Sequence, residues 1–376
     1  MKYYIIAGEA SGDLHASNLM KELKKLDTKA EFRCWGGDLM KEQGGFLVKH
    51  YQELAFMGFV EVLMNLRAIF KNIDLCKKDI LEDNPDVLIL VDYPGFNLRI
   101  AAFAKLKGFK VIYYISPQVW AWKENRVQKI KRVVDRMFVI LPFEKDFYKK
   151  FDYKVDFVGH PLLDVIENKN TNKSSFEDFI RENDLSRKPI IAILPGSRKQ
   201  EISKMLDVML SIKDHYPSHQ FVIAAAPSVN KAFYETHIHN KDVGIVANKT
   251  YNLLQHADAA LVTSGTATLE TALFEVPQVV CYSAGTISYY IARNLIKVKY
   301  ISLVNLVMDK QIVKELIQND FNAVLLKREL DKLIYDITYT GSLKNNYIDL
   351  KKKLGGRGAS GKTAELITKY LSGTNL

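Results

Sequence analysis

Short runs of almost unbroken apolar residues recur along this chain, each followed by a stretch with helical spacing, and that alternation constrains the fold more than any other feature. In the first part the runs fall at 3–7, 31–35, 86–92, 110–115, 136–140 and 154–158, with helical patterns at 13–26, 59–81, 97–107 and 123–134. A strand with one wet face alternates apolar and polar residues, whereas a strand covered on both faces has no need to. Val87-Leu88-Ile89-Leu90-Val91 has no polar position at all, so helices are expected on both sides of it. The fold class this requires is α/β, a parallel sheet wound by helices on both faces.

Between 166 and 188 the composition turns polar, and the alternation then restarts at 189–194, 220–225, 244–246, 259–263 and 278–282. After Asn322 the chain reads as largely helical, ending in a pattern at 363–371. A chain of 376 residues exceeds one ordinary core. The expected domains are 1–165 and 166–355, with a C-terminal helix within 356–376 packing back on the first domain. Two Rossmann-like doubly wound domains in succession are expected to face a central cleft, the usual position for a ligand.

Several function classes drop out early. The cysteines, Cys34, Cys76 and Cys281, are scattered without metal-ligand spacing, which argues against a disulfide framework or a zinc site and for a reducing compartment. No run of about 18 uninterrupted apolar residues is present to span a membrane, and residues 1–7 read as a first strand rather than a signal peptide. The net charge of +10 is compatible with anionic partners, but no nucleic-acid-binding motif accompanies it, and nucleic acid is not an expected partner.

The segment Thr263-Ser264-Gly265-Thr266-Ala267-Thr268-Leu269-Glu270 follows the apolar run Ala259-Ala260-Leu261-Val262. It reads as a buried strand, a small-residue turn and a helix, so that N–H groups and the positive helix end point at whatever lies above the strand. A diphosphate suits Ser264, Gly265 and Thr266, and Glu270 one turn later suits ribose hydroxyls. Pro195-Gly196-Ser197-Arg198 repeats the pattern and adds a guanidinium able to meet a leaving diphosphate.

In the first half, Gly8-Glu9-Ala10-Ser11-Gly12-Asp13 follows the first strand but is not a dinucleotide fingerprint. Ser11 or Asp13 could cap the next helix; alternatively Glu9 and Ser11 face a ligand. Asp92 at the end of the strand 86–92 is placed to act as a general base on a hydroxyl, or else caps the helix opened by Pro94. The greasy segment 54–70 reads either as core or as a face for acyl chains. Trp120-Ala121-Trp122, followed by Lys123, Arg126, Lys129, Lys131 and Arg132, suits lipid headgroups or an anionic substrate as well as a solvated helix. His160, in Gly159-His160-Pro161, is expected to be structural.

These pieces, in this order, resemble the lipid-A-disaccharide synthases, inverting glycosyltransferases of the GT-B fold. The resemblance runs through AGEASGD (7–13), LAFMGFVEVL (54–63), PDVLILVDYPGFN (85–97), SPQVWAW (116–122), LPFEKDFY (141–148), LPGSR (194–198), SGTATLE (264–270) and YISLVNLVMDKQIVKEL (300–316). It implies condensation of UDP-2,3-diacylglucosamine with 2,3-diacylglucosamine 1-phosphate (lipid X) into a β-1,6-linked disaccharide 1-phosphate plus UDP, with no metal or cofactor. Asp92, Glu9 and Ser11 would be catalytic, and Arg198, Ser264, Gly265, Thr266, Glu270 and Asn305 would bind substrate. A cytoplasmic protein on the inner-membrane surface is implied, with a homodimer as a possible assembly. Tyr93 and Gly95 stand where the family often has Ala and Asp, and Val304 where it commonly has Pro. Two other readings share this architecture, a UDP-sugar 2-epimerase and a non-catalytic nucleotide-binding membrane module.

Overall fold

The computed structural model describes residues 1–54, 66–122, 124–170, 175–227, 229–238, 242–283 and 299–373. It divides into two compact units, Met1–Pro161 with Leu354–Leu376, and Leu162–Lys353. The boundaries fall a few residues from the breaks expected at 165 and 355.

The first unit is built on seven parallel strands: β1 (Lys2–Ala7), β2 (Glu31–Gly36), β3 (Phe46–His50), β4 (Val87–Val91), β5 (Lys110–Tyr114), β6 (Arg136–Val139) and β7 (Asp156–Phe157). Their order in the sheet is β3-β2-β1-β4-β5-β6-β7. Tyr3 and Val87 are register partners, as are Ala7 and Val91. The lack of alternation now has its cause. Tyr4, Ile6, Leu88 and Leu90 bury into one core, while Tyr3, Ile5, Ala7, Val87, Ile89 and Val91 bury into another on the opposite face. β3 has no such pattern, because it lies at the sheet edge with Phe46 exposed and its remaining residues half-buried.

The helix Ala359–Leu371 belongs to this unit. Ala364, Ile367 and Leu371 join the core formed with Ala16, Leu19, Met20 and Leu23 of the helix Ala10–Leu26. Where the chain returns at Leu354, its carbonyl accepts the His160 N–H at 2.9 Å. Gly159 has φ +92°, and a Cβ there would lie 3.3 Å from that same carbonyl oxygen, so glycine is needed both for conformation and for the close approach.

The second unit has six parallel strands: β8 (Ile190–Leu194), β9 (Gln220–Ala225), β10 (Val243–Ala247), β11 (Ala257–Thr263), β12 (Gln278–Tyr282) and β13 (Lys314–Ile317). The order is β10-β9-β8-β11-β12-β13. β13 falls outside the strands expected from sequence; it is four residues long, lies at an edge and contains Lys314 and Glu315. Both sheets therefore reverse direction once, between β1 and β4 and between β8 and β11. In open α/β sheets the carboxyl ends at such a reversal form the ligand-binding crevice.

Among the described residues no helix is long and apolar enough to cross a membrane. The apolar stretch 54–70 lies largely outside the described residues, as does Lys123. Trp120, by contrast, is buried edge-on against Phe143 at 4.9 Å, which makes it a core residue rather than a lipid contact. It lies in the one-turn helix Val119–Trp122, a short turn at Glu124–Arg126 follows, and the helix expected at 123–134 spans only Val127–Val133.

The docking of the C-terminal helix yields a stability prediction. Ile367→Ala should lower the unfolding free energy of the first unit by about 2–4 kcal/mol, the usual range for emptying a buried aliphatic site. Denaturant titration measures it, and an unchanged midpoint would mean that the helix is not part of that core.

Candidate active site

Four loops leave the two sheets at their reversal points. They carry Gly8–Ser11 after β1, Asp92 after β4, Pro195–Arg198 after β8 and Ser264–Thr266 after β11. Seven of the nine residues expected to be functional thus lie at or just beyond the carboxyl ends of the four innermost strands; Glu270 stands a turn inside the helix Thr266–Leu273, and Asn305 lies elsewhere, in the helix Leu303–Met308.

At the first edge, β4 stops at Val91 and the backbone turns sharply. Asp92 and Tyr93 both take positive φ, 44° and 47°, a conformation that L side chains rarely adopt and that costs about 1–3 kcal/mol per residue. The fully buried Asn97 explains why the turn persists: its amide donates to the Asp92 carbonyl at 2.8 Å and to the Val91 carbonyl at 3.2 Å. The Tyr113 hydroxyl donates to the Asp92 carbonyl as well. Asp92 does not cap the helix Pro94–Leu106; Tyr93 occupies that position, with no side-chain cap bond.

The Asp92 carboxyl is half-buried beside Glu9. Burial, and then the Glu9 charge, push its pKa up to about 7, while the Tyr93 backbone N–H pulls it down. Tyr93 stacks on Phe96, with centroids 5.7 Å apart, and its hydroxyl donates to the Leu54 carbonyl at 3.4 Å. A Cβ at Gly8 would come within 2.3 Å of the Tyr93 ring, so the first glycine of the GEASGD segment makes room for the tyrosine that departs from the family pattern.

Glu9 holds the N-cap position of the helix Ala10–Leu26 without a side-chain cap bond, and Ser11 is exposed in its first turn. Asp13 does cap a helix, but a different one from that expected. Its carboxylate accepts N–H groups of Gly37 (2.8 Å), Leu39 (3.2 Å) and Met40 (3.1 Å) at the start of the helix Asp38–Glu42. His160 is buried, and burial with nearby His15 lowers its pKa to about 3, so it stays neutral at neutral pH.

At the second edge, Gly265 is the N-cap of the helix Thr266–Leu273 with φ +153°, which favours glycine. Ser264 is tied down twice, by its N–H to the Cys281 carbonyl at 3.1 Å and by its hydroxyl to the Ile301 carbonyl at 2.8 Å. The N–H groups of Thr266 and Ala267, at the first helical positions, have no intrahelical acceptor, and with that of Gly265 they make a helix N-terminus, an arrangement that favours negative charge. Glu270, half-buried, accepts the Tyr251 hydroxyl at 3.1 Å; burial raises its pKa and Tyr251 works against the rise.

Arg198 is exposed at the N-cap of the helix Lys199–Leu210. Its charge is felt by the Tyr282 hydroxyl at the end of β12, two places along the sheet from β8, which puts the guanidinium on the side of the Ser264 turn. Gly196, at φ +110°, leaves space for the Glu201 carboxylate, which accepts the Ser197 N–H at 3.2 Å.

Asn305 differs from its expected role as a substrate ligand. It is fully buried, and its amide donates to Val313 O (2.9 Å) and Glu315 Oε1 (2.8 Å) while its oxygen accepts from Ile312 N (2.7 Å) and Val313 N (3.0 Å). Two donors and two acceptor sites are the whole capacity of a carboxamide. Asn97, Tyr113, Tyr251 and Glu315 carry no role in the sequence reading; their partners lie 5 to 91 positions away, a spacing that carries no local signal.

The two edges differ in chemistry. One offers a carboxyl able to take a proton near neutral pH, and the other offers N–H groups and a cation for an anionic group. A family model described as lipid-A-disaccharide synthetase matches residues 3–365. A curated lipid-A-disaccharide synthase from Geobacter metallireducens is 39% identical over 373 residues, covering 98% of this chain and 96% of that protein. Another, from Nitrosococcus oceani, is 38% identical over 378 residues, with 99% and 97% covered. Among solved structures, UDP-GlcNAc 2-epimerase from Neisseria meningitidis bound to UDP-GlcNAc aligns with a TM-score of 0.71 at 14% identity, covering 98% of this chain and 100% of that one. The glycosyltransferase of kitacinnamycin aligns at 0.62 and 14%, with 98% of each covered. At such identity these likenesses show the fold alone, shared by transferase and epimerase; the full-length sequence match is what separates the two. The chain belongs to the lipid-A-disaccharide synthase family, glycosyltransferases of the GT-B fold.

Proposed function

We propose that the chain condenses UDP-2,3-diacylglucosamine with 2,3-diacylglucosamine 1-phosphate, releasing UDP and a β-1,6-linked disaccharide 1-phosphate. Asp92 takes the proton of the acceptor's 6-hydroxyl as that oxygen attacks the donor's anomeric carbon. The bond from that carbon to the diphosphate oxygen breaks, its electron pair leaves with UDP, and a single displacement inverts the configuration. The observation that carries this reading is the placement of the half-buried Asp92 carboxyl beside Glu9 at a sheet reversal; burial and that charge push its pKa up to about 7, and a general base works best with a pKa near the operating pH. Glu9 supplies part of that lift, and Ser11 lines the acceptor.

The charge that develops on the leaving diphosphate is met by Arg198 and by the N–H groups of Gly265 and Thr266, with Ser264 shaping the turn and Glu270 taking the ribose. Peripheral contact with a membrane surface also belongs to this reading. Phe70, Leu75 and Leu81 are exposed along the helix Leu66–Asp83, which continues the apolar segment.

The direct test gives the purified protein both acylated substrates in detergent micelles. Release of UDP with formation of the disaccharide is expected; no product from folded protein, or interconversion of UDP-GlcNAc and UDP-ManNAc, would overturn the proposal. Asp92→Ala should lower turnover about 10²–10⁴-fold, and Arg198→Ala about 10–10³-fold. Wild-type rates in either variant would remove that residue from its role.

Two pH effects follow from Asp92. The base must be ionised, so kcat/KM should rise with pH through about 7. Glu9→Gln removes a negative neighbour and should move that limb to lower pH, whereas an unmoved limb would separate Glu9 from Asp92. For stability the sign is the reverse. A carboxyl with a raised folded-state pKa destabilises the fold as pH climbs from the ordinary value of 3.8 towards about 7. Asp92→Asn should therefore be more stable than wild type, by a margin that grows across that window and levels off above it. Thermal unfolding at pH 4, 6 and 8 measures the margin, and a pH-independent difference would contradict the raised pKa.

A further inference from the structure

One carboxylate near the second edge is used by none of these steps. Glu315 lies on β13, half-buried, with both oxygens engaged. Oε2 accepts the Ile301 N–H at 3.1 Å, and Oε1 accepts the Ser302 N–H at 3.0 Å and the Asn305 amide at 2.8 Å. Ser302 is the N-cap of the helix Leu303–Met308, its hydroxyl oxygen accepting the Asn305 N–H at 3.3 Å. The peptide joining Ile301 to Ser302, held by Glu315 through the Ser302 N–H, turns the Ile301 carbonyl to the Ser264 hydroxyl, 2.8 Å away. An unbroken chain of hydrogen bonds therefore runs from the Glu315 carboxylate through one peptide to the residue that begins the Gly265–Ala267 turn.

We infer that Glu315 is a positioning residue for the diphosphate turn, setting the direction of the Gly265 and Thr266 N–H groups through Ile301 and Ser264. The inference rests on the proposed nucleotide-diphosphate site. Glu315 has no need to touch substrate, and its charge is absorbed by three donors rather than left facing an anion. Asn305, on the same carboxylate, keeps the segment 312–313 in place and so supports the acceptor end of the chain. Ser264 would matter less as a donor to phosphate, since its hydroxyl proton is committed to Ile301, than as the joint that turns the backbone.

Glu315→Gln divides the network selectively. A carboxamide oxygen can still accept from Ser302 and Asn305, but its NH₂ then faces the Ile301 N–H, so Ile301, whose carbonyl holds the Ser264 hydroxyl, loses its own anchor while the Ser302 N–H keeps its acceptor. In the full-length protein, UDP affinity by calorimetry should fall about tenfold in Glu315→Gln and comparably in Ser264→Ala. The double variant should lose little more than the worse single, because residues acting through one network are not additive. Thermal unfolding should move little in Glu315→Gln. Wild-type UDP affinity in folded Glu315→Gln, or losses that multiply in the double variant, would overturn the inference.

A second measurement needs no ligand: the backbone amide resonances of Gly265 and Thr266 should shift in Glu315→Gln. Unmoved resonances would overturn the positioning role whether or not UDP binds. Shifted resonances in a protein whose wild type does not bind UDP would instead uphold the network and sink the diphosphate reading.

Discussion

The first edge depends on one buried carboxamide. Asn97 shares the two N–H bonds of its amide among three carbonyls, Ile6 of β1 at 3.5 Å and Val91 of β4 at 3.2 Å, at the ends of two neighbouring strands, and Asp92 itself at 2.8 Å. It therefore joins the strands where the sheet order reverses and keeps two successive non-glycine residues in a left-handed turn. Without such a tie the turn would relax, because strain of this kind persists only where the surroundings over-determine it. What the strain achieves is placement. The carboxyl of Asp92 sits against Glu9, partly out of water, and its proton affinity rises towards neutrality.

The second edge solves a different electrostatic problem with similar parts. A buried parallel strand again ends in a small-residue turn at a sheet reversal, but here no acid is raised to act as a base. Gly265 opens a helix whose first N–H groups lack acceptors, Arg198 adds a cation from the neighbouring strand, and Glu270 stands one turn further in. Backbone dipoles fixed before the substrate arrives need no reorganisation when charge develops, which is why such ends recur where anions must be stabilised.

How much of this was legible in the sequence depended on where each residue's partners lie. The inner strands were readable because both faces of each are buried, so β1, β4, β8 and β11 have no polar alternation to confuse. β3 and β13 were not, since an edge strand with one face towards solvent has weak patterning and Glu315 looks like a surface charge. The positions of Asp92, Arg198 and Ser264 followed from strand ends, which sequence does indicate. The partners of Asp13, Tyr251 and Asn305 did not, because Asp13 caps a helix some 24 residues away and Asn305, itself on a helix, spends all its bonds on residues 312, 313 and 315. A polar residue within a motif reads as a ligand until its hydrogen bonds can be counted.

The central claim is that the fold itself, before any substrate binds, lifts one carboxyl to the pKa of a neutral-pH base. Carbon-13 NMR titration of the Asp92 carboxyl in the substrate-free protein, assigned by its loss in Asp92→Asn, tests this directly. A midpoint near 7 is the predicted result. A midpoint near 4, the ordinary range of an aspartate in water, would contradict the account.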